Sequence, residues 1–269
     1  MMVADPEVKV RGERLILGSG GMRPMVRDRA RDAGGAGLWA WTAARREDCG
    51  RRPAARTYDW PVERSKAADA LIRAGQRLGA RGLISAGEGN LSVRLDADRL
   101  LVTPTERRKD ELEADDLVVV WIDHRDRHDR SPSGLPPTSD LAIHLAIHAA
   151  RPDIAAVAHA HLPASMALTL AGEAPDPTAL PETSLLLPRL PLVGLGVMGS
   201  DELAGRVVAA LCEPPEPLAT AVLLERHGAI AIGDAPAQAV DRLELVEVLC
   251  RTWGESLLIR AARAALGIV

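Results

Sequence analysis

Aromatic residues are scarce in this sequence. Its 269 residues include no phenylalanine, one tyrosine and five tryptophans, which together make up 2% of the chain. Hydrophobic residues nevertheless account for 47% of the sequence. A buried core is therefore within reach, and it must be built from leucine, valine, isoleucine and alanine. The length suits one large domain, or one domain with an appendage.

Strong net charge, paired cysteines and long apolar runs are also missing. The formal net charge of −4 is too small to indicate nucleic acid binding. Cys49, Cys212 and Cys250 lie far apart without a Cys-x-x-Cys pair, a pattern that fits a reducing cytoplasm and gives no disulfide framework. No apolar run approaches the roughly 20 residues that a membrane-spanning helix needs, and no convincing signal peptide opens the chain. We therefore expect a cytoplasmic protein that binds neither nucleic acid nor a membrane.

Residues 1–62 differ in composition from the rest of the chain. They contain 12 basic and 8 acidic residues, glycine clusters such as "GSGG" and "GGAG", and little sustained periodicity. Such a composition cannot readily bury enough apolar surface to offset the loss of chain entropy. We expect an N-terminal extension that is disordered or that a wrong start codon has added, followed by one domain over residues 63–269.

Helical and strand patterns alternate from Val62 onward. Alternating apolar residues before the turn at "DADR" predict a hairpin in "NLSVRLDADRLLVTPT". Further strands are expected in "DLVVVWID", "IAAVAHAHL", "PLVGLGV" and on both sides of "RHG". Helices are expected near residues 63–82, in "DLAIHLAIHAARP", "PASMALTLAG" and "DELAGRVVAALCE", and over about 235–263. We expect Thr138 or Ser139 to cap the second of these helices, and "DHRDRHDRSPSGLPP" to be a polar loop. This mixture predicts an α/β fold, a layered sandwich with a largely antiparallel central sheet.

Two histidines stand close together in "VAHAHLPAS". On a strand, His159 and His161 point to the same face, and their ring nitrogens could share one Zn²⁺ at roughly 2.0–2.1 Å. His227 is a candidate third ligand, because the neighbouring Gly228 allows the backbone to approach a site closely. Hydrogen-bonded or exposed histidines would show the same spacing, so the spacing alone leaves both interpretations open.

A second histidine pair lies on a predicted helix. Asp140, His144 and His148 follow one another at intervals of four residues and share a face, which is also a pattern that metal sites use. A polar stripe or packed helix surface has the same spacing, and we favour that interpretation for His144 and His148. His124 and His128 fall in the charged loop and are expected to be solvated.

Five stretches of the sequence, in order and with matching spacing, resemble the class II aldolase/adducin superfamily. This superfamily includes the zinc-dependent sugar aldolases typified by L-fuculose-1-phosphate aldolase, and their relative L-ribulose-5-phosphate 4-epimerase. The resemblance covers about residues 64–262 and implies an α/β/α layered sandwich. The matching stretches are "GLISAGEGNLSVRL", "LLVTPTERRKDEL", "DLVVV", "PPTSDLAIHLAIHAARPDIAAVAHAHLPAS" and "VLLERHGAIAIG".

The resemblance implies a role for each candidate site residue. It implies that His159, His161 and His227 are zinc ligands, and that the zinc ion stabilises an enediolate as a carbon–carbon bond breaks. Asp140 matches the acidic position that is glutamate in the aldolases and aspartate in the epimerase, so it would act as general acid or base. The positions that hold a substrate phosphate in phosphate-using relatives are Asn90, Thr105, Thr138 and Ser139.

The sequence departs from the family pattern at Glu106 and in the lack of a tyrosine within the domain. Glu106 follows "TPT" where phosphate-using relatives usually have glycine, so either its carboxylate turns away, towards Arg107, Arg108 or Lys109, or the substrate carries no phosphate. The aldolases use a tyrosine of a neighbouring subunit as proton donor, but the single tyrosine, Tyr58, precedes the domain. Glu182 in "ALPETS" is a candidate substitute, and a solvated loop carboxylate is the alternative.

The function expected from this resemblance is a zinc-dependent aldehyde-lyase, a class II aldolase, that cleaves or condenses a small sugar, sugar phosphate or hydroxy-keto acid. A sugar-phosphate 4-epimerase or a decarboxylase could use the same site. A non-catalytic interaction module like the adducin head is the alternative from another class. Family relatives assemble as tetramers, so a homo-oligomer is expected.

Overall fold

The computed structural model describes residues 62–268, apart from the side chains of residues 124–127. The expected N-terminal extension, with Tyr58, lies outside the described residues. Six α-helices are described: α1 (Arg64–Ala80), α2 (Leu141–Ala150), α3 (Pro163–Leu170), α4 (Pro181–Leu186), α5 (Asp201–Cys212) and α6 (Pro236–Ala265). Eight strands are described: β1 (Asn90–Arg94), β2 (Arg99–Val102), β3 (Val118–Trp121), β4 (His124–His128), β5 (Ala156–Ala160), β6 (Leu192–Val193), β7 (Ala221–Leu224) and β8 (Gly228–Gly233).

The eight strands form one sheet in the order β4-β3-β2-β1-β5-β8-β7-β6. Every neighbouring pair is antiparallel except β6 and β7, which are parallel. The predicted largely antiparallel sheet is therefore confirmed. The central strands are β1, β5 and β8, and all their residues are buried, as expected for strands covered by helices on both faces.

Helices cover both faces of the sheet, which confirms the layered α/β/α arrangement. One core lies between α1, α6 and one sheet face, and two further clusters join α2 and α5 to the opposite face. The face under α6 is built from small side chains, since Ala158, Ala160, Ala229 and Ala231 alternate along β5 and β8. Small residues there let the helix pack closely on the strands, which suits a chain without phenylalanine.

The alternation along β5 decides which way its histidine points. Ala158 and Ala160 belong to the core under α6, whereas Val157 belongs to the core under α2 and α5. His159 shares the face of Val157. Its ring is therefore directed to the layer in which α2 begins, with Asp140 immediately before the helix.

Two predictions about local structure were wrong. The stretch predicted as a polar loop contains β4, which pairs with β3 through an irregular register; the edge of β3 offers hydrogen-bonding groups that charged residues can use as well as apolar ones. Neither Thr138 nor Ser139 caps α2, because Asp140 occupies the N-cap position and makes no side-chain cap hydrogen bond.

Cys250 is a free, buried thiol. Within residues 62–268, no helix combines the length and the apolar character needed to cross a membrane.

Candidate active site

Three imidazole rings converge at the ends of neighbouring strands. The ring centroids of His159 and His161 lie 5.0 Å apart, and each lies 4.7 Å from that of His227. One potential ligand nitrogen from each ring lies within 4.8 Å of the other two. The three residues are therefore placed as a group that could hold one metal ion. The three histidines singled out in the sequence are thus neighbours in space, and we call them the histidine triad.

Two close backbone approaches build the triad. Gly228 begins β8 with a φ of 111°, and a Cβ atom at this position would lie 2.1 Å from the carbonyl oxygen of Ala160. This approach sets His227, the residue before the strand, beside His161. Gly89, with a φ of 70°, leads into β1, and a Cβ atom there would lie 2.8 Å from the carbonyl oxygen of His159. Both positions require glycine, because a side chain would force the strands apart.

Hydrogen bonding fixes which nitrogen of His159 faces the site. Its Nδ1 lies 3.0 Å from the carbonyl oxygen of Ala229, which can only accept, so Nδ1 carries the proton and donates. The Nε2 lone pair is left free, and this is how ligand histidines are usually oriented. The Nε2 atoms of His159 and His227 are buried without a hydrogen-bond partner among the described residues. Such orphaned atoms are rare, and a shared metal ion would satisfy both.

Burial keeps these rings neutral. Burial, followed by the neighbouring charges of His227 and His161, lowers the pKa of His159 to about 3. Burial also lowers the pKa of His227. A metal ligand must be an unprotonated imidazole, so at neutral pH neither ring has to lose a proton before it binds an ion.

Asp140 lies at the edge of the triad. Its Oδ2 is 3.9 Å from Nε2 of His159 and accepts a 2.9 Å hydrogen bond from Nδ2 of Asn90. Its Oδ1 is buried and has no partner among the described residues. Burial alone would raise the pKa of Asp140, but His159 and the hydrogen bond from Asn90 together lower it. The site therefore holds an ionised carboxylate with one free oxygen.

Asn90 and Thr138 support this carboxylate directly. Asn90 pairs with His159 across β1 and β5, so its buried amide starts on the same sheet face as the His159 ring. Thr138 Oγ1 accepts a hydrogen bond from the backbone N–H of Asp140 at 3.3 Å, which fixes the entry into α2. Two of the four residues expected to hold a substrate anion thus contact Asp140.

The other two residues expected to hold a substrate anion, Thr105 and Ser139, lie on the loops next to Asp140. A bridge between Pro104 and Pro137 holds the loop of Thr105 beside the loop that leads through Thr138 to Ser139. Thr105 is half-buried and Ser139 is exposed. Both remain accessible to a ligand that enters from solvent.

Glu106 stands in a backbone conformation that favours glycine, with a φ of 57°, and its side chain is exposed. The ion pairs that Arg107 and Arg108 form within residues 62–268 do not include it. Lys109 donates to the carbonyl oxygens of Gly87 and Arg107. The three neighbouring cations are therefore engaged elsewhere and leave the charge of Glu106 uncompensated.

Glu182 is not brought to the triad by any contact that the structure describes. It is exposed in the first turn of α4 and forms no ion pair within the described part of the chain. A different glutamate, Glu88, lies at the triad, with Oε1 3.6 Å from Nδ1 of His161. Glu88 was not among the residues predicted from the sequence, although its position between two glycines in "GEG" marks a loop that can approach a site closely.

A cavity of about 360 Å³ lies beside His227. Leu195, Val197, Met198 and Arg226 are among the residues that line it. The volume is in the range of small-molecule sites. The segment "PLVGLGV" was predicted only as a strand, and its position next to His227 was not predicted.

A layered α/β/α fold that carries three convergent imidazoles beside an ionised carboxylate defines a candidate metal-dependent enzyme. Comparison with known proteins agrees with this class. The family model described as Class II Aldolase and Adducin N-terminal domain matches residues 69–253. The chain belongs to this family.

Relatives in the family carry names of different reactions. The methylthioribulose-1-phosphate dehydratase of Acidiphilium cryptum (strain JF-5) is 31% identical over 196 residues, which are 66% of this chain and 85% of that protein. The 3,4-dihydroxyphthalate decarboxylase of Arthrobacter keyseri is 31% identical over 215 residues, which are 77% of this chain and 84% of that protein. Membership therefore defines an enzyme superfamily without selecting one reaction.

A solved structure in the family has the same fold. The L-fuculose-1-phosphate aldolase from Thermus thermophilus superposes with a TM-score of 0.62 at 26% identity, covering 74% of this chain and 97% of that one. The predicted superfamily and fold class are thereby confirmed.

Proposed function

We propose that the protein is a metal-dependent class II aldolase, an aldehyde-lyase that cleaves or forms a carbon–carbon bond in a small hydroxy-carbonyl compound such as a sugar, a sugar phosphate or a hydroxy-keto acid. One observation carries the proposal: three imidazoles converge to within 4.8 Å, and the buried Nε2 atoms of His159 and His227 have no partner among the described residues. The adjacent cavity of about 360 Å³ supports a substrate of this size.

The donor set fits zinc. Three neutral nitrogen ligands with room for further ligands are typical of catalytic zinc sites, and His159, His161 and His227 would hold the ion. A divalent cation bound there supplies a Lewis acid that stabilises negative charge developing on the substrate oxygens.

Asp140 is the group that moves a proton in this proposal. It is ionised, it is held by Asn90 and by the backbone contact with Thr138, and its Oδ1 is free. Oδ1 therefore takes a proton from a substrate hydroxyl, whose oxygen becomes the aldehyde oxygen as the carbon–carbon bond breaks. It then gives the proton to the carbon that keeps the electron pair of that bond, as a general base and then a general acid. Thr105 and Ser139 lie on the neighbouring loops and would bind the distal end of the substrate.

Decarboxylation at the same site is the second candidate. Two observations favour it: the similarity to the Arthrobacter keyseri decarboxylase over 77% of the chain, and the uncompensated charge of Glu106, which opposes a phosphate group nearby. Two like charges about 4 Å apart repel by roughly 1–4 kcal/mol, depending on the local dielectric constant. We infer that the substrate carries no phosphate at the Glu106 end. Glu182 has no support from the described contacts as a proton donor.

The expected oligomer and location remain proposals. Apolar side chains are exposed near the end of α6, at Leu258, Ile259, Leu266 and Ile268, and they support a homo-oligomer, for which we propose a tetramer. Light scattering on the purified protein tests it. We keep the cytoplasm as the proposed location, and cell fractionation followed by detection of the protein tests it. We also propose that residues 63–269 suffice for activity, so deletion of residues 1–60 should leave it intact.

Metal analysis and product analysis together test the function. The full chain is stripped with chelator, reloaded with one divalent metal at a time, and assayed for bound metal by mass spectrometry. The loaded protein is then incubated with ketoses, ketose phosphates and hydroxy-keto acids, each with and without added chelator. Aldehyde products that appear only in the metal-loaded sample support aldol cleavage, and released CO₂ supports decarboxylation. Failure to bind any divalent metal at one equivalent per chain would overturn the proposal.

A further inference from the structure

Behind Asp140, four buried polar side chains form a continuous hydrogen-bonded chain. Nδ2 of Asn90 donates to Asp140 Oδ2 at 2.9 Å, and Oδ1 of Asn90 lies 2.6 Å from Nε2 of His144. Nδ1 of His144 lies 2.7 Å from Oγ of Ser92, and the same oxygen lies 2.9 Å from Nε2 of His148. All four side chains behind Asp140 are at most 4% exposed.

This chain ties two elements of different layers together. Asn90 and Ser92 lie two residues apart on β1 and share a face. His144 and His148 lie four residues apart on α2 and also share a face. Nη2 of Arg94 adds a 2.6 Å hydrogen bond to the carbonyl oxygen of His148. The strand that carries Asn90 is thus joined to the helix that starts after Asp140.

The chemistry of the groups fixes the direction of every bond in the chain. An ionised carboxylate only accepts, so the Asn90 amide nitrogen donates to it and the amide oxygen must accept from His144 Nε2–H. A neutral imidazole then has an unprotonated Nδ1, which accepts from the Ser92 hydroxyl. The Ser92 oxygen in turn accepts from His148 Nε2–H.

The protonation state supports this assignment. Burial lowers the pKa of His144 to about 4, and burial, with the nearby charges of Arg94 and His144, lowers the pKa of His148 well below its usual value. Each ring therefore carries one N–H at neutral pH. The donors point in one direction, from His148 towards Asp140.

We propose that His144, supported by Ser92 and His148, is a positioning residue that fixes the Asn90 amide with its NH₂ group towards Asp140 and thereby aims the Asp140 carboxylate at the histidine triad. The proposal rests on the proposed function, because it assigns Asp140 the role of proton-transferring group. A terminal amide can rotate by half a turn at little cost. The rotated amide would place its oxygen against the carboxylate, and the His144 N–H prevents this.

The chain transmits orientation and does not conduct protons. An amide such as Asn90 does not take up a proton on its oxygen and release another from its nitrogen under ordinary conditions. At the far end, His148 Nδ1 is buried without a partner among the described residues, so no proton source for a relay is described there. A continuous buried network of this kind instead selects one arrangement of its members.

The test compares His144→Leu with His144→Gln. The glutamine amide nitrogen can donate to Asn90 in place of Nε2, whereas leucine fills a similar volume without a donor. Loss of groups behind a catalytic residue typically costs about 10–100-fold. We expect His144→Leu to lower kcat by this factor, with KM and the metal content within about threefold of the wild type. We expect His144→Gln to recover most of the lost kcat.

Melting temperatures and the exposed His128→Leu variant control for general damage. If His144→Leu does not fold, Ser92→Ala is used in its place, because it removes the donor to His144 Nδ1 through a smaller change. Ser92→Ala should lower kcat about tenfold. Equal losses of kcat in the leucine and glutamine variants at equal melting temperature would overturn the proposal, as would an unchanged kcat in His144→Leu or Ser92→Ala.

Crystal structures separate this proposal from the proposed function. If none of the tested ketoses, ketose phosphates and hydroxy-keto acids reacts, the proposed reaction is wrong. The position of the Asp140 carboxylate in a crystal structure of His144→Leu still tests the positioning role. A carboxylate displaced or disordered in His144→Leu and restored in His144→Gln supports the role. A carboxylate that keeps its wild-type position in His144→Leu contradicts it.

Discussion

Gly228 lies so close to Ala160 that a Cβ atom on the glycine would be 2.1 Å from the alanine carbonyl oxygen. At this point β8 begins beside the end of β5, where Ala160 pairs with Ala229. The approach brings His227 to His161, with ring centroids 4.7 Å apart. The geometry of the triad therefore depends on a residue that has no side chain.

Gly228→Ala should open the triad. The new Cβ atom forces the two strands apart, and the φ of 111° adds backbone strain of about 1–3 kcal/mol. We expect metal affinity to fall at least about tenfold, measured by competition with a chelator. Gly172→Ala is the matched control, since Gly172 also has a positive φ, of 79°, but no atom of the described residues lies within 4 Å of the place that its Cβ would take. Equal metal affinity of the two variants would contradict this reasoning.

His159→Ala should remove bound metal and activity while the fold is largely kept. The ring supplies an orphaned buried nitrogen, and two remaining imidazoles are too few for a stable catalytic zinc site. Metal content per chain, measured after dialysis, should fall from about one equivalent to background, with the circular dichroism spectrum unchanged. His128→Ala, at the exposed end of β4, should keep its metal. Retention of one equivalent in His159→Ala would refute the assignment.

Asp140→Asn should separate proton transfer from metal binding. The amide is similar in shape but cannot accept a proton, and general acid–base catalysis contributes about 10²–10⁴-fold. We expect kcat to fall by that factor while at least half of the metal is retained, as measured by mass spectrometry and steady-state kinetics. The exposed Asp69→Asn should behave as the wild type. A nearly normal kcat in Asp140→Asn would show that another group transfers the proton.

Glu106→Gly should increase the affinity for phosphate-bearing ligands. The change removes an uncompensated charge and places glycine at a φ of 57°, which glycine adopts without strain. Removal of one repulsive charge of about 1–2 kcal/mol corresponds to roughly five- to thirtyfold tighter binding. Titration with phosphoglycolate, and with unphosphorylated glycolate as the comparison, measures the effect. If the ratio of the two affinities stays the same in the variant, Glu106 does not oppose phosphate.

Lys109 should make stability depend on pH above neutrality. It is 1% exposed, and burial lowers its pKa from 10.5 to about 8. Between these two values the unfolded chain binds a proton that the folded protein does not, so the free energy of unfolding rises with pH. The slope is at most about 1.4 kcal/mol per pH unit.

Denaturation at several pH values between 7.5 and 10 measures this slope in the wild type and in Lys109→Met. The unfolding free energy of the wild type should increase with pH relative to that of Lys109→Met. The contributions of other titrating groups cancel in this comparison. A difference that does not vary with pH would mean that the buried amine keeps an ordinary pKa.

Much of the fold follows from local patterns in the sequence. The spacing of apolar residues predicted α1, α6 and the hairpin of β1 and β2 near their observed bounds, because each of these elements buries one continuous apolar pattern. β4 was missed, since its residues are charged and it forms only by pairing with the edge of β3. The start of α2 was predicted to within one residue, but its cap was wrong, since Asp140 occupies the N-cap position in place of Thr138 or Ser139.

The candidate site, like the fold, was predicted from the sequence only in part. The sequence by itself paired His159 with His161, because alternation along a predicted strand is a local property, and it offered His227 as a third ligand through the neighbouring Gly228. The family resemblance added the roles of these histidines and of Asp140. Only the tertiary structure brought Glu88 to His161, joined His144 and His148 through Ser92 to Asn90, and left Glu182 in solvent. These contacts connect residues distant in sequence, and their existence depends on how β1, α2 and the strand ends pack together, which no local pattern records.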